Sequence, residues 1–323
     1  MRWVRWIAGT SGVLLLAGCA AGIATHFTDA PRLIRIASFT PVFLIGALVA
    51  AVVLILSRWH VAALLAAVVL AVGLWGQWPL YRAVGVFADA SAAGPQLRVM
   101  QANIFLGRAD PAALVARVRA ERIDVLTVSE LTDEAVPALA AAGIGDELPH
   151  AFLRSRPGGG GVGIYARYPL SDGELLPGFE LHNVRANVAA PGAAPLRVYA
   201  LHLLPPFPEP PWRWAAEVDR LAEVLALEDR PLVIGADVNA TYDHKRFRDL
   251  LAGSRHPGSP GLSDAAVVTG AGIVPTYPVG RRTPPLLAID RILTRGATPL
   301  SFRRVGIAGS DHHGVISDIS LHS

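Results

Sequence analysis

Hydrophobic and polar positions divide this chain into two regions with different periods. Before residue 85 the apolar residues fall in three unbroken runs, at residues 6–25, 39–56 and 61–80, and none of the three contains Asp, Glu, Lys or Arg. Each run approaches the roughly 20 residues a helix needs to cross about 30 Å of hydrocarbon. A soluble helix keeps a polar stripe, and these keep none. The pattern predicts a membrane region over residues 1–84 built from three helices. Trp3, Trp6, Trp59, Trp75, Trp78 and Tyr81 lie near the ends of the runs, where an interfacial aromatic belt would place them.

A small, polar, proline-containing stretch, ADASAAGPQ at residues 88–96, then reads as a linker over residues 85–96. From residue 97 to 323 short apolar runs alternate with helical ones. LRVMQANI (97–104), IDVLTVSE (123–130), GVGIYAR (161–167), LRVYALHL (196–203), PLVIGADVN (231–239), LAIDRILT (287–294) and GVISDISL (314–321) are strand-like. Between them Asp110-Pro111 offers an N-cap with proline at the first helical position, followed by Leu114, Val115 and Val118. Trp214, Val218, Leu221 and Leu225 share one face of a later helix. The expectation is an α/β domain of layered sheets with helices outside.

Composition sharpens this division. Mean hydropathy is +0.40, and the excess sits before residue 85. Six arginines and two aspartates precede residue 96, whereas the remaining 23 basic and 24 acidic residues nearly cancel. The pI of about 9.3 therefore belongs to the membrane region, and the near-neutral large domain argues against a nucleic-acid grip through many phosphate contacts. Arg2, Arg5 and Arg58 balance Arg32, Arg35 and Arg82 across the predicted spans. The first helix then favours an inside N-terminus and a large domain outside the cytoplasm. LLLAGC, ending at Cys19, resembles a lipoprotein cleavage box, but the overlap in length between signal regions and spans favours Cys19 as a small apolar residue of a membrane helix. A single cysteine excludes an intrachain disulfide.

The candidate chemistry lies at strand ends. Asn103 closes the first strand, Glu130 the second, His202 the fourth, and Asp237 and Asn239 the fifth; Asp290 interrupts the next run and Asp311-His312 opens the last. Hydrolysis of a phosphate ester needs such a set. Glu130 and Asn103 offer oxygen donors to a hard cation such as Mg²⁺, Asp290 can orient His312 as a base, and Asn239 and His202 can hold phosphoryl oxygens. Each residue alone has a plainer reading. Asn103 can shape a turn, Glu130 can cap a helix, and His202 can be a satisfied core histidine. Asp237 and Asn239 can build an Asx turn, and Asp290-Arg291 can be a surface ion pair. The flexible RPGGGG loop (156–161) lacks the Lys-Ser/Thr ending of a P-loop.

Taken in order, QANI, LTVSE, YALHL, VIGADVN, AIDRIL and GSDHHGV resemble the endonuclease/exonuclease/phosphatase superfamily. The resemblance implies a four-layer α/β sandwich, with two central mixed sheets flanked by helices, and Mg²⁺- or Mn²⁺-dependent phosphoesterase chemistry. It implies Asn103, Glu130 and Asp311 at the metal, with Glu130 the principal ligand. His202 would contact phosphate or assist the leaving group, Asp237 and Asn239 would polarise water and bind phosphate, and Asp290 would orient the catalytic base His312. Gly314 stands where the family commonly has proline, and His313 falls at a variable position. Three helices before such a domain resemble the membrane-anchored bacterial subgroup associated with vancomycin and teicoplanin resistance. That likeness implies a multi-pass protein of the bacterial cell membrane, with an extracytoplasmic phosphatase acting on a lipid-linked (undecaprenyl) pyrophosphate of cell-wall synthesis. In LLPPFPEPPWRW (203–214), Phe207, Trp212 and Trp214 can touch lipid or pack on the core. The alternatives are a membrane-tethered nuclease or sphingomyelinase-like phosphodiesterase, and a non-catalytic binding module, which the intact residue set disfavours.

Overall fold

Three apolar helices open the chain: α1 (Arg2–Ala24), α2 (Thr40–Leu56) and α3 (His60–Gln77). The structure is a computed structural model that describes residues 2–84, 94–256 and 258–321. Most of the expected linker, residues 85–93, thus lies outside the described residues. Two compact units are formed, Met1–Pro79 with Thr241–Arg248, and Leu80–Ala240 with Asp249–Ser323.

In the first unit, α1 continued to Phe27 and α3 continued to Tyr81 are long and apolar enough to cross a membrane. The middle helix has 17 residues and reaches span length only together with Pro31–Ala37, from which it is bent by 69°. The expectation of three similar spans thus resolves into two span-length helices and one bent pair. Their outer faces expose Leu14, Ile45, Leu48, Leu64, Leu65 and Trp75, as lipid-facing surfaces do. Their contact faces are small: Gly12 meets Leu54, and Gly46 leaves room for the Cys19 sulfur, so Cys19 packs as a small apolar side chain within α1. Thr241–Arg248 belongs to this unit through buried polar pairs. Asp243 is 2.9 Å from His26 Nδ1 and accepts from Gln77, and Arg246 grips Asp29 through two 2.8 Å bonds.

The second unit holds two mixed sheets. The first contains β1 (Gln96–Asn103), β2 (Val125–Ser129), β3 (His150–Arg154) and β4 (Val162–Ala166). The second contains β5 (Leu170–Leu175), β6 (Val184–Val188), β7 (Leu196–His202), β8 (Leu232–Asp237), β9 (Ser263–Asp264) and β10 (Asp290–Arg295). The chain then returns to the first sheet with β11 (Ala297–Pro299), β12 (Arg303–Val305) and β13 (Gly314–Leu321). Strand orders are β11-β13-β1-β2-β4-β3, with β12 also on β13, and β5-β6-β7-β8-β10-β9.

Each sheet has one parallel pair at its centre, β1–β2 and β7–β8, and antiparallel neighbours. The inner faces close on one core of branched residues from both sheets, including Val99, Val125, Ile164, Val198, Val233 and Ile292. Outside the first sheet lies α4 (Pro111–Glu121), packed through Leu114, Val115 and Val118. Asp110 caps it by accepting from Ala113 N, and Arg122 ends it in the left-handed region. In α5 (Pro211–Ala226), Trp214, Val218, Leu221 and Leu225 are buried. The architecture is therefore the α/β arrangement of two mixed sheets flanked by helices.

Candidate functional site

Register brings the polar strand ends into one row on each sheet. In the parallel pair β1–β2, Asn103 lies opposite Ser129, which puts Glu130 one residue past the edge. In β7–β8, His202 lies opposite Asp237, and the antiparallel β10 begins with Asp290 opposite the same Asp237. β13 runs antiparallel to β1 with Gln101 opposite Val315, so Asp311 and His312 come just before that strand at the Asn103 end. Parallel pairs place both C-terminal ends on one side, and ligand sites gather there.

Asp237 is the hub. Its Oδ2 accepts from Asn103 Nδ2 at 3.1 Å and stands 3.8 Å from His202 Nε2 and 3.9 Å from His312 Nε2. Those two gaps exceed a direct hydrogen bond. Its Oδ1 accepts the backbone N–H of Asn239 at 3.0 Å, while the Asn239 amide donates to Leu203 O at 2.8 Å. That is the Asx-type link the sequence allows, here built around a functional carboxylate. The other ring nitrogen of His312 faces Asp290 Oδ2 at 2.8 Å, with both side chains buried. Asp290 is thus committed to His312, and its chain neighbour Arg291 pairs with Asp264 at 3.1 Å in the interior, so Asp290-Arg291 is not a surface ion pair.

Glu130 is held by a different set. Oε1 accepts from Asn103 Nδ2 at 2.9 Å and Oε2 from Leu106 N at 2.7 Å. Asn103 directs its amide nitrogen to the carboxylates, and its oxygen accepts from Phe105 N. Gly159 packs on this group: a Cβ there would lie 2.3 Å from Leu106 Cδ2 and 3.2 Å from Glu130 Oε2, and its φ of +79° is one only glycine adopts freely. The glycine-rich loop therefore walls Glu130. Glu130 and Asn239 both take positive φ, 61° and 49°, an uncommon conformation concentrated at functional residues.

Electrostatics follow from burial beside many carboxylates. Burial and the charge of Asp290 raise the Asp237 carboxyl to about 6, against the pull of His312 and His202. Burial alone would lower His312, yet Asp290, Asp237 and Asp311 outweigh it and raise its imidazolium to about 10. Burial also raises Asp311, and the neighbouring Glu130 charge adds to this against His312.

Several residues carry this site without appearing in the sequence set. Ser310 Oγ donates to Asn103 O at 2.8 Å and accepts from His312 N at 3.0 Å, tying β1 to the histidine. Asn183 Oδ1 accepts from His202 N at 2.7 Å. Thr276 Oγ1 accepts from Asp290 N, and the Tyr277 ring lies 4.7 Å from that of His312. Ser310 stands inside the GSDHHGV motif and was findable there; Asn183, Thr276 and Tyr277 sit in stretches with no motif signal. His313 donates from its backbone to Thr276 O and stays out of the Asp237 cluster.

A divalent cation, implied by this chemistry, fits the donor set. Asp311 Oδ1 and Asp290 Oδ1 are buried without a hydrogen-bond partner among the described residues, and the Glu130 and Asp311 charges reinforce each other. Hard oxygen donors with uncompensated charge are what Mg²⁺ or Mn²⁺ takes. A second donor group, Asp237, Asp290 and His312, has its ligand atoms within 4.8 Å of one another. The sequence reading gave Asp290 and His312 to proton handling and Asp237 to polarising water and binding phosphate, and these uses draw on the same juxtaposition.

Two mixed sheets packed face to face, helices outside, and an acid–histidine cluster at the shared strand ends define a phosphoesterase-type α/β sandwich. The chain belongs to the Endonuclease/Exonuclease/phosphatase family, which it matches over residues 100–312. Among solved structures it is similar to humanized D. rerio TDP2 carrying 14 mutations, at 19% identity and TM-score 0.56, covering 70% of this chain and 99% of that one. It is also similar to an endonuclease/exonuclease/phosphatase from Beutenbergia cavernae, at 20% identity and TM-score 0.54, covering 71% and 72%. A Bacteroides vulgatus family protein aligns at 14% identity and TM-score 0.55, over 71% and 100%. At such identities the likeness establishes the fold. No curated protein matches the chain.

Proposed function

We propose that this chain is a membrane-anchored, divalent-metal-dependent hydrolase that releases phosphate from a lipid-linked pyrophosphate, undecaprenyl pyrophosphate, on the extracytoplasmic side of a bacterial membrane. The observation that carries the reading is the Asp237–His312–Asp290 cluster beside Glu130, in a chain that begins with helices apolar enough to span a bilayer. The segment after His202 adds support. Trp214 is fully buried and donates to Val238 O, whereas Phe207 and Trp212 are 70% and 61% exposed, a pair of aromatic side chains suited to a lipid surface.

Glu130 and Asp311 would hold the cation, which neutralises charge on the phosphoryl oxygens. Asn103 fixes Glu130, and Asp290 fixes the His312 ring. Held as a cation, His312 donates to a phosphoryl oxygen, and His202 and Asn239 offer further donors. The proton acceptor in this reading is Asp237 rather than His312, because burial and the Asp290 charge bring its proton affinity to about 6, near neutrality, while the surrounding carboxylates hold the His312 ring protonated. Water oxygen bonds to phosphorus, one water proton passes to Asp237, and the anhydride P–O bond breaks to leave lipid monophosphate and inorganic phosphate.

The test is phosphate release from undecaprenyl pyrophosphate in detergent with Mg²⁺. Absence of release by the wild type, or full activity in His312→Ala, rejects the reading. The second reading, a nuclease or phosphodiesterase, draws on the likeness to D. rerio TDP2 complexed with single strand DNA product. Cleavage of DNA faster than of the lipid pyrophosphate would put it first.

A further inference from the structure

A nine-residue excursion, PVGRRTPPL at residues 278–286, leaves and re-enters the fold beside the catalytic histidine. Its base is closed by an antiparallel bridge between Tyr277 and Leu287, with Tyr277 N to Leu287 O at 3.0 Å and Leu287 N to Tyr277 O at 2.8 Å. The same base is fastened to the site at four points. Thr276 Oγ1 accepts from Asp290 N, Thr276 O accepts from His313 N at 2.9 Å, Val279 N donates to Asp311 O at 2.7 Å, and the Tyr277 ring stacks at an angle on His312. Arg281 therefore stands two residues beyond a backbone bond to Asp311. Gly280 has φ +73° with open space around it, and Pro284-Pro285 restrict the returning strand.

The arginines at the tip, Arg281 and Arg282, are exposed and make no hydrogen bond or ion pair among the described residues. Nearby cations are otherwise engaged: Arg108 lies over the Phe105 ring and Arg156 donates to Glu180 O. Arg281 is electrostatically in reach of the centre. The Val279 N–Asp311 O bond and the Tyr277 ring on His312 keep the base of this tip against the carboxylates. The centre itself is rich in carboxylates, Glu130, Asp237, Asp290 and Asp311, so a substrate carrying a second phosphate meets repulsion unless further positive charge is supplied.

We propose that Arg281 binds the phosphate of the substrate that is not attacked, and so makes the site prefer diphosphate esters over monophosphates. The assignment rests on reading the site as a phosphate-ester hydrolase. A guanidinium takes a phosphate through two parallel N–H bonds, a geometry lysine lacks. Arg282, its neighbour, serves as the control position.

The experiment is calorimetric titration of the full chain in detergent with Mg²⁺, using methylenediphosphonate and methylphosphonate as probes that cannot be hydrolysed at the bridge. Wild type should bind the diphosphonate more tightly, and Arg281→Gln should lose about ten- to a hundredfold of that affinity, the size of one charge-assisted pair. Its affinity for methylphosphonate should stay unchanged, Arg281→Lys should recover part of the loss, and Arg282→Gln should behave as wild type. A preference kept in Arg281→Gln, or an equal loss for both probes, overturns the assignment. Should the binding preference hold while no lipid pyrophosphate is hydrolysed, the lipid-pyrophosphate substrate is rejected and the Arg281 assignment stands for another diphosphate ester.

Discussion

Asp290 Oδ2 lies 2.8 Å from Nδ1 of His312, and both side chains are buried. One ring nitrogen is thereby committed to a carboxylate, and the other, Nε2, is aimed at Asp237. Asp290→Asn keeps the shape but removes the charge that holds the ring as a cation. Turnover should fall by about 10²–10³-fold, the range typical of losing a donor that stabilises transition-state charge. His312→Ala should fall equally, and the double variant no further, since residues acting as a unit are not additive. Steady-state phosphate release checks all three.

As the proposed proton acceptor, Asp237 should set the acid limb of the pH–rate profile. Its carboxyl is raised above the ordinary aspartate value, to about 6, by burial and by Asp290. Activity should therefore decline as pH falls through about 6, where the acceptor becomes protonated. The stability effect has the opposite sign. A folded state that binds this proton more tightly than the unfolded chain gains from this group as pH falls from about 6 towards 4. A pH–rate profile recorded beside melting curves separates the two; loss of activity that tracks unfolding would contradict this assignment.

Glu130 accepts from both Asn103 and Leu106 N. Glu130→Ala should weaken Mg²⁺ or Mn²⁺ binding by at least about tenfold, with half-maximal activity moved to higher metal concentration. Metal titration of activity, and of binding by calorimetry, reads this directly.

The interior pair Arg291–Asp264 tests stability away from the chemistry. Asp264 also accepts from Ala266 N, capping the short helix after it. Asp264→Ala removes a carboxylate partner from a buried guanidinium and a cap from the helix, and should destabilise by about 3–5 kcal/mol, a fall of roughly ten degrees in the melting midpoint. Thermal unfolding of the detergent-solubilised chain measures it.

Phe207 and Trp212 are exposed beside the strand that ends in His202. Replacing both with serine should reduce activity on a vesicle-embedded lipid pyrophosphate by at least about tenfold, since each buried aromatic carries roughly 1.5–3 kcal/mol. A soluble phosphate ester should be cleaved at the wild-type rate.

Much of this protein is legible along the chain. Apolar runs without a charge mark the helices of the first unit, because hydrocarbon leaves no tolerance for an unpaired ion. Apolar, branched-rich runs mark β1, β2, β4, β7, β8, β10 and β13, whereas β6 (VRANV), also buried, went unread because Arg185 and Asn187 interrupt its apolar run. Strands β3 and β5 escaped that reading because HAFLR and LSDGEL are edge segments, partly or largely exposed, with no apolar run to announce them. The 17 residues of α2 show the limit of counting apolar residues, since a bend of 69° decides what reaches span length.

What the sequence determined by itself was the inventory: a carboxylate, amide or imidazole at the end of strand after strand, in a fixed order. Tertiary structure decided which of them meet. Parallel pairing of β1 with β2 and β7 with β8 sets four strand ends side by side, and the return of β13 to the first sheet brings His312 within reach of Asp290 on the second. The order of the motif already singled out His312 from its neighbour, and backbone direction supplies the physical reason. His312 turns into a pocket of carboxylates that hold its charge, while His313 is fastened by its own N–H to Thr276. Pairing register and burial are properties of the assembled sheets, and the local sequence around either histidine carries neither.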